Sequence, residues 1–591
     1  MNIGDEILTA LQNLSEKEKA IVAEALGLAK KERETQAQQI ANLALAAGVE
    51  LFHDPQGKAY ATIPINGHKE TWPITSRGSG PFRSWLRRLF FEKYRRPPGN
   101  QTLQDAIGVL EAKAQFDGPE YAVNIRIAQN AGKVYIDLAN ENWQIVEITP
   151  GYGWRIIEAH ECPVKFIRPK GMLPLPEPKS GGTMDDLRRF LNIVSDDDFK
   201  LIVAWLLAAL RPQGPYPILM LEGEQGTGKT TAARVLRSLI DPNVSPVRTP
   251  PKDERDLAIN ATNNWVVCYD NLSGIPIWLS DALCRLSTGG GFSTRQLFTD
   301  DEEVILEACR PIILTGIDEI VTRHDLLDRC IIVNLQPIPE EHRKDEATFW
   351  QEFERARPGI LGALLVIVSL GLENFDRVKL DRLPRMADFA KWIVACEASD
   401  VLWERGGFMA AYTENRTEAV ESALENDVLA TAIRILLEER NDWEGTAQEL
   451  LEALAVYVDD NTKRTRAWPS SPRSLSSRLR RMATFLRQSG IAIEFYREAH
   501  TGRRLIRLKK KTIVTTVTTV TQNPGGFENT SFEMVTQMVT QNRDGDANGD
   551  DGDDSEKFAS PSGALKILHG DDGDDGDAKN HFESKIVEGE L

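Results

Sequence analysis

The sequence predicts an α/β fold: a parallel-sheet core with a phosphate-binding loop, a small α+β unit before it, helical and winged-helix-like units after it, and a disordered acidic tail. Three observations predict it. First, the apolar run Ile218-Leu-Met-Leu leads into Gly223-Glu-Gln-Gly-Thr-Gly-Lys-Thr230 and then directly into a helical stretch, Thr231 to Ile240. Second, two further apolar runs end in a polar residue: Trp265-Val-Val-Cys-Tyr before Asp270, and Arg310-Pro-Ile-Ile-Leu before Thr315. Third, charge segregates near the C-terminus. Residues 463–511 carry 15 Lys/Arg against two acids, while residues 512–591 carry 17 acids against five Lys/Arg.

At 591 residues the chain exceeds what one core usually serves, so three or four units are expected. Its 41% hydrophobic and 27% charged content fits a globular protein. The longest apolar runs, Leu201 to Leu210 and Gly359 to Leu372, fall short of the roughly 18 residues that span a bilayer, so no membrane partner is expected. Met1-Asn-Ile-Gly-Asp-Glu lacks a basic region before an apolar core, so no secretory signal is expected and a cytoplasmic location is. The six cysteines form no CxxC, which argues against a zinc site and a disulfide framework. The net charge of −18 mostly describes the tail; without residues 512–591 about −6 remains.

In order, residues 1–48 predict helix, with Ser15 and Glu18 as a capping box. Residues 49–175 predict a small α+β accessory domain, on alternating segments such as 58–65 and 134–138 and a helix over Phe82–Tyr94. Pro169 to Gly182 predicts a linker. Residues 184–340 hold the core, and residues 345–416 predict a helical domain broken near Pro358 and Pro384. Residues 426–511 predict the last compact unit. Residues 512–591 predict disorder, being rich in short polar repeats and Gly/Asp blocks. Asp544-x-Asp546-x-Asn548-Gly549 starts like a calcium loop, but position 12 is Ser555, so no calcium site is expected.

The Gly223–Thr230 segment satisfies GxxxxGK[ST] in the strand–loop–helix setting that the motif requires. Glycines let the backbone wrap a phosphate with its N–H groups inward, and the helix N-terminus adds favourable dipole charge. Gly223, Glu224, Gln225, Gly226, Thr227, Gly228, Lys229, Thr230 and Thr231 are thus the expected ATP contacts. Lys229 would reach the β/γ-phosphates, and the Thr230 hydroxyl would bind Mg²⁺. Asp270, after its strand, is the expected second magnesium partner. Asn271 follows it, where many relatives of this fold carry an acid; Asn can hydrogen-bond water but cannot take its proton. Thr315 stands where a sensor would contact the γ-phosphate or its water. Arg329, before another apolar run, is a candidate finger for a neighbouring subunit's phosphate, with Arg323 as second candidate. The plainer alternative pairs Arg329 with Asp325 or Asp328.

This order of motifs resembles superfamily-3 helicases and the related primase-helicases of phages, plasmids and poxviruses, over roughly residues 200–340. Leu283-Cys-Arg-Leu-Ser-Thr-Gly-Gly-Gly-Phe-Ser-Thr-Arg295 looks like that group's segment between Walker B and the sensor strand. Asp325 to Arg329 is similar to its finger region. The resemblance implies an α/β P-loop NTPase core (AAA+-like) and a hairpin near Arg295 that touches DNA; a homo-oligomeric ring, a hexamer, is expected because the finger must come from a neighbour. Two positions depart from the group: Thr315 replaces the usual Asn, and Asn271 follows Walker B. Residues 60–180 resemble, more loosely, the accessory region of such proteins. They hold no paired acidic primase motif, since Asp137 stands alone, and no zinc-ligand cluster.

In the basic unit, Ser474 to Gln488 suits a helix with Leu475, Leu479, Met482 and Leu486 on one face. Arg478, Arg480, Arg481 and Arg487 fall off that face. Two alternating strands follow, Ile491–Arg497 and Arg504–Leu508, flanked by Arg503 and Arg504. Helix–helix–helix–hairpin order predicts a winged helix whose arginines meet DNA phosphates. The expected function is an ATP-dependent DNA helicase-like motor, with ATP and Mg²⁺ as cofactors and DNA and other replication proteins as partners. The alternatives are a nucleotide-gated DNA-binding regulator or loader, and a protein-interaction ATPase whose acidic tail mimics DNA.

Overall fold

Side chains in the central strands alternate between two apolar layers, and this fixes the architecture. In the computed structural model, which describes residues 14–25, 34–75, 80–295, 303–306, 308–317, 323–398, 401–465, 467–499 and 501–510, the core is a four-stranded parallel sheet. Its strands are β8 (Ile218–Glu222), β9 (Val267–Leu272), β12 (Ile312–Gly316) and β13 (Cys330–Asn334), in the order β9-β12-β8-β13. Leu219, Leu221, Cys268, Ile313, Ile331 and Val333 face one core; Ile218, Met220, Val267, Tyr269, Ile312 and Leu314 face the other. Burial on both faces is why these strands read as continuous apolar runs. The fold is therefore mixed α/β with helices on both faces of the sheet.

The first face carries α5 (Asp196–Ala209), α6 (Lys229–Ile240), α10 (Glu346–Asn374) and α11 (Ala387–Glu397). The second carries α7 (Glu254–Asn263) and α8 (Ile277–Thr288), and its core continues into the C-terminal unit. Helix α10 is long and apolar enough to cross a bilayer by length and composition, but Phe353, Ile360, Leu364, Leu365 and Val368 are buried in the protein core. It runs unbroken through Pro358, contrary to the expected break. Tertiary packing holds the helix in place there: Lys179 N–H donates to the Pro358 carbonyl at 2.9 Å. Gly362 lets the 179–182 backbone lie against the helix, since a Cβ there would stand 2.0 Å from the Lys179 oxygen. The expected linker is thus a strap held on the core, also through Leu173 N–H to Pro242 O and Leu175 N–H to Leu138 O, both 2.9 Å.

The region 49–175 divides in two, which is a second departure. Helices α1 (Glu16–Ala25) and α2 (Gln36–Ala46) open the chain, and Ser15 and Glu18 form the expected capping box. Helix α2 packs with strands β1 (Glu50–His53), β2 (Ala59–Ile65) and β3 (His68–Pro73) and with α3 (Pro81–Tyr94) and α4 (Asn100–Phe116) around a separate core. The antiparallel meander β4 (Ile127–Asn130), β5 (Lys133–Asp137), β6 (Ile145–Thr149) and β7 (Gly153–Ile157) instead joins the central core. Its Trp154 indole donates to the Gly362 carbonyl at 3.2 Å, and the Ser369 hydroxyl donates to the Thr149 carbonyl at 2.6 Å. Asp137 pairs with Arg168 at 2.6 Å, a structural role for that isolated acid.

Helix α5 begins at Ser195, whose hydroxyl accepts from the Asp197 and Asp198 amides. Burial, with Glu418 and Asp197 nearby, pushes the Asp198 carboxyl up to about 6. The folded chain then holds this proton more tightly than the unfolded chain, whose ordinary value is 3.8. The contribution of Asp198 to stability therefore falls as pH rises through about 4 to 6. Asp198→Asn is expected to remove that slope and to raise the urea midpoint above pH 6; a midpoint lowered equally at all pH values would contradict this.

Candidate nucleotide site and basic surfaces

Strand β12 lies between β8 and β9, so the strand carrying Thr315 separates the phosphate-loop strand from the Asp270 strand. All four strands run parallel, and their C-terminal ends gather Gly223, Asp270 and Thr315 at one edge. Gly223 leaves β8 at φ 145°, where a Cβ would meet the Leu335 oxygen at 2.5 Å. Gly228 caps α6 at φ 83°. Only glycine holds such backbone without strain and admits such close approach. The amides of Lys229, Thr230 and Thr231 open the helix and have no partner in the preceding turn. Asn192 steadies the loop by donating to the Thr227 carbonyl at 3.0 Å.

The Lys229 ammonium folds over this loop, donating to the Gly223 carbonyl at 2.6 Å and to Thr227 Oγ1 at 3.2 Å. The Thr230 hydroxyl donates to Asp270 Oδ1 at 3.0 Å, and the Thr315 hydroxyl donates to the same oxygen. The Asn271 amide donates to Thr315 Oγ1 at 3.0 Å. Thr230, Asp270 and Thr315, successive ones 40 and 45 positions apart, thus share one hydrogen-bonded cluster. Asn271 lies at φ 58°, and the register of β9 against β12 slips there, between Tyr269 and Leu272. Asn is among the few side chains that tolerate this conformation. The bulge gives Asn271 a backbone task that its sequence position did not reveal. A glycine cradle that a Cβ would fill, an ammonium, a first-turn hydroxyl and a carboxylate together fit a nucleotide triphosphate with magnesium. Glu224, Gln225 and Gly226 are exposed at the loop's rim, and Thr231 is half-buried behind it.

Arg343 gives no motif signal, yet its guanidinium approaches the loop. A Cβ at Gly226 would stand 4.0 Å from Arg343 Nη2, and Arg343 Nε donates to the Ile338 carbonyl at 3.3 Å. Its position depends on the chain folding back after β13, which no local spacing encodes.

Arg329 precedes β13, whose first residue, Cys330, pairs with Ile218 at the opposite end of β8 from Gly223. It is therefore remote from the phosphate loop of its own chain. It donates to the Asp325 backbone carbonyl at 2.6 Å rather than pairing with a carboxylate. Asp328 instead takes Arg385 at 3.2 Å and Arg416 at 3.0 Å. Arg323 pairs with Asp281 at 2.9 Å. Arg295 ends β10 (Phe292–Arg295), opposite Glu303 in β11 (Glu303–Leu306), so two antiparallel strands stand where the hairpin is expected, and residues 296–302 between them lie outside the described residues.

After α12 (Gly407–Glu425), the C-terminal unit consists of α13 (Val428–Arg440), β14 (Asp442–Gly445), α14 (Ala447–Leu454), α15 (Pro472–Gln488), β15 (Ile491–Arg497) and β16 (Arg504–Lys510), with sheet order β14-β16-β15. Helices and hairpin follow the expected winged-helix order, with β14 as an added strand. Arg478 is a correction: it is half-buried and pairs with Asp427 at 2.8 Å, so it holds the unit together rather than facing DNA. Arg480 is exposed, stacked on Phe495 with its guanidinium 4.5 Å from the ring centre. Arg481, Arg487, Arg503 and Arg504 are exposed too, with Arg487 donating to the Ile493 carbonyl at 3.1 Å and Arg503 pairing with Glu449 at 3.3 Å. Arg478, Arg480 and Arg481 also line a cavity of about 1050 Å³, whose other walls carry Glu222, Asn334 and Asp325. Part of the basic helix therefore faces the sheet edge. In α9 (His324–Leu327), the His324 ring packs on Phe485 of α15 with centroids 4.4 Å apart, and burial pushes its pKa down. The calcium-like segment and residues 512–591 lie outside the described residues.

The fold and site define a mixed α/β protein with a glycine-rich loop at one edge of its parallel sheet and a basic C-terminal unit of helices and a hairpin. Residues 184–415 match the family described as actinomycete integrative conjugative element replication protein, and residues 429–524 match the C-terminal domain of that replication protein. In these two segments, in this order, the chain is similar to replication proteins of that kind. No curated protein matches. Among solved structures, the apo NrS-1 C-terminal region is 13% identical with a TM-score of 0.36, over 81% of this chain and 99% of that one. The JCV helicase is 14% identical with a TM-score of 0.21, over 40% of this chain and 64% of that one.

Proposed function

We propose that the chain is an ATP-dependent DNA motor of the helicase type, acting in replication of a mobile element and working as a ring of identical subunits. The observation that carries this reading is the Thr230–Asp270–Thr315 cluster at the mouth of the glycine loop. Loop amides and Lys229 would hold the triphosphate, and Thr230 with Asp270 would hold magnesium. The metal, when bound, supplies charge neutralisation for phosphoryl transfer. Thr315 is buried and already bonded to Asp270, so it would report phosphate occupancy to the carboxylate. Arg329 stands too far from its own loop to serve it and would complete a neighbour's site. The β10–β11 hairpin and the exposed arginines of residues 480–504 would contact DNA. Contact between His324 and Phe485 joins the helix before Arg329 to the basic helix, a physical route between DNA and the finger.

The second reading, a nucleotide-gated DNA-binding regulator or loader, is favoured by one observation. Asn271 cannot accept a proton from water, and its backbone serves the bulge. Mixing two inactive variants tests the ring motor. Lys229→Ala and Arg329→Ala should each lose hydrolysis, the latter by about 10³-fold. An equimolar mixture should regain turnover, because one hybrid interface pairs an intact loop with an intact finger. A mixture no faster than its parts would rule out a finger supplied by the neighbour.

A further inference from the structure

We propose that the outward face of α3 is a second nucleic-acid surface, one that takes single-stranded DNA independently of the C-terminal unit. From Arg83 to Arg96 the chain carries six cations and one acid, Glu92. Helical spacing divides α3 cleanly. Phe82, Trp85, Leu86 and Phe90 are buried against α2 and α4. Arg87, Arg88 and Phe91 share the opposite face and are exposed, and Arg95, the left-handed C-cap at φ 54°, is exposed just beyond the helix end.

The aromatics on that side have no core to fill. Phe91 is 49% exposed among the arginines, and Tyr94 is 37% exposed beside it. The Tyr94 ring is held by Phe90, with centroids 4.6 Å apart, so one platform is already ordered. Arg87 donates to Asn100 at 2.9 Å, which leaves its charge unneutralised. Among the described residues Arg88 makes an exposed pair with Glu92, of the kind that contributes little and is readily exchanged. No carboxylate pairs with Lys93, Arg95 or Arg96 among the described residues.

Cations interleaved with exposed rings fit a strand whose phosphates and unpaired bases are both available. Duplex DNA offers the phosphates but keeps its bases stacked inside. A membrane surface would need the apolar face of α3, and that face is buried in the protein's own core. The surface lies ahead of the ATPase core in the chain, on a fold with its own apolar core. Its binding therefore needs no nucleotide, and holding a strand for the motor rests on the function proposed above.

The test uses the full chain without nucleotide. Affinity for a labelled oligothymidylate is compared with affinity for a duplex of equal length, for wild type, Phe91→Ala and the combined Arg87→Gln/Arg88→Gln/Arg95→Gln variant. Phe91→Ala should weaken single-strand binding about 10-fold by loss of one stacked base, with duplex affinity within about twofold. The triple variant should flatten the salt dependence of log affinity by about 2, at roughly 0.7 per lost phosphate contact. All substituted side chains are exposed, so unfolding midpoints should not move. Photo-cross-linking of the oligonucleotide should map to the peptide holding Phe91 and Tyr94. Unchanged single-strand affinity in both variants, or cross-links confined to residues 463–511, would overturn the proposal. Equal losses for single strand and duplex would overturn its strand preference. Repeating the binding in Lys229→Ala separates this outcome from failure of the motor reading, since that variant should bind the oligonucleotide as wild type does.

Discussion

Asp270→Ala is expected to lower ATP turnover about 100-fold or more, while nucleotide affinity falls less than about 10-fold. The carboxylate is where two hydroxyls converge: Thr230 at 3.0 Å from the first turn of α6, and Thr315 from the neighbouring strand. On the proposed function, removing it would take away the second magnesium partner, and metal charge stabilisation of phosphoryl transfer is worth several kcal/mol. It also leaves the Thr315 hydroxyl, which is 1% exposed, without its acceptor. The glycine loop and Lys229 stay in place, so binding should largely survive. Phosphate release and affinity for a fluorescent nucleotide measure the two effects separately. A turnover change below twofold would show that Asp270 is not the metal partner.

Asp241→Ala is expected to destabilise the fold by about 3–5 kcal/mol, a large part of a typical total stability. Asp241 lies just past the C-terminal end of α6, the end far from the phosphate loop. Its Oδ1 takes the Arg126 guanidinium at 3.3 Å, and its Oδ2 accepts the Trp265 and Val266 amides at 3.0 and 3.1 Å. Arg126 is fully buried and also donates to the Asp137 and Leu173 carbonyls. Arg237 lies 3.8 Å from the same carboxylate. Burial pushes both guanidiniums below their usual pKa, and Asp241 opposes that shift. Without it, two buried cations lose their counter-charge and two amides lose their acceptor. The accessory meander, tied here to the α6 end, should loosen with it. Urea unfolding measures the loss; Asp241→Asn, which keeps an acceptor for the amides, should cost less. A midpoint unchanged in Asp241→Ala would refute this account of the joint.

Much of the phosphate edge was legible because its signals are local. A strand, a glycine loop and a helix follow one another without interruption, and Asp270 and Thr315 each end an apolar run. Their mutual contact was not legible, because it depends on β12 inserting between β8 and β9. Strand β14, Asp442-Trp-Glu-Gly445, has no apolar alternation; it exists through pairing with β16. The helix through Pro358 overrode a sound local rule, since the 179–182 strap and its glycine contacts come from remote sequence. Division of 49–175 was hidden for the same reason: Trp154 and Thr149 find partners more than 200 residues away. Arg478 shows the converse error. Periodicity placed it off the apolar face correctly, but an off-core position is not a free one when Asp427 lies 2.8 Å away.

The central claim is that hydrolysis at the Gly223–Thr230 loop is coupled to DNA. The most direct measurement is the steady-state ATP hydrolysis rate of the full chain with and without single-stranded DNA. The rate should rise severalfold on adding DNA and vanish in Lys229→Ala. A rate indifferent to DNA, in a protein that still binds the strand, would contradict it.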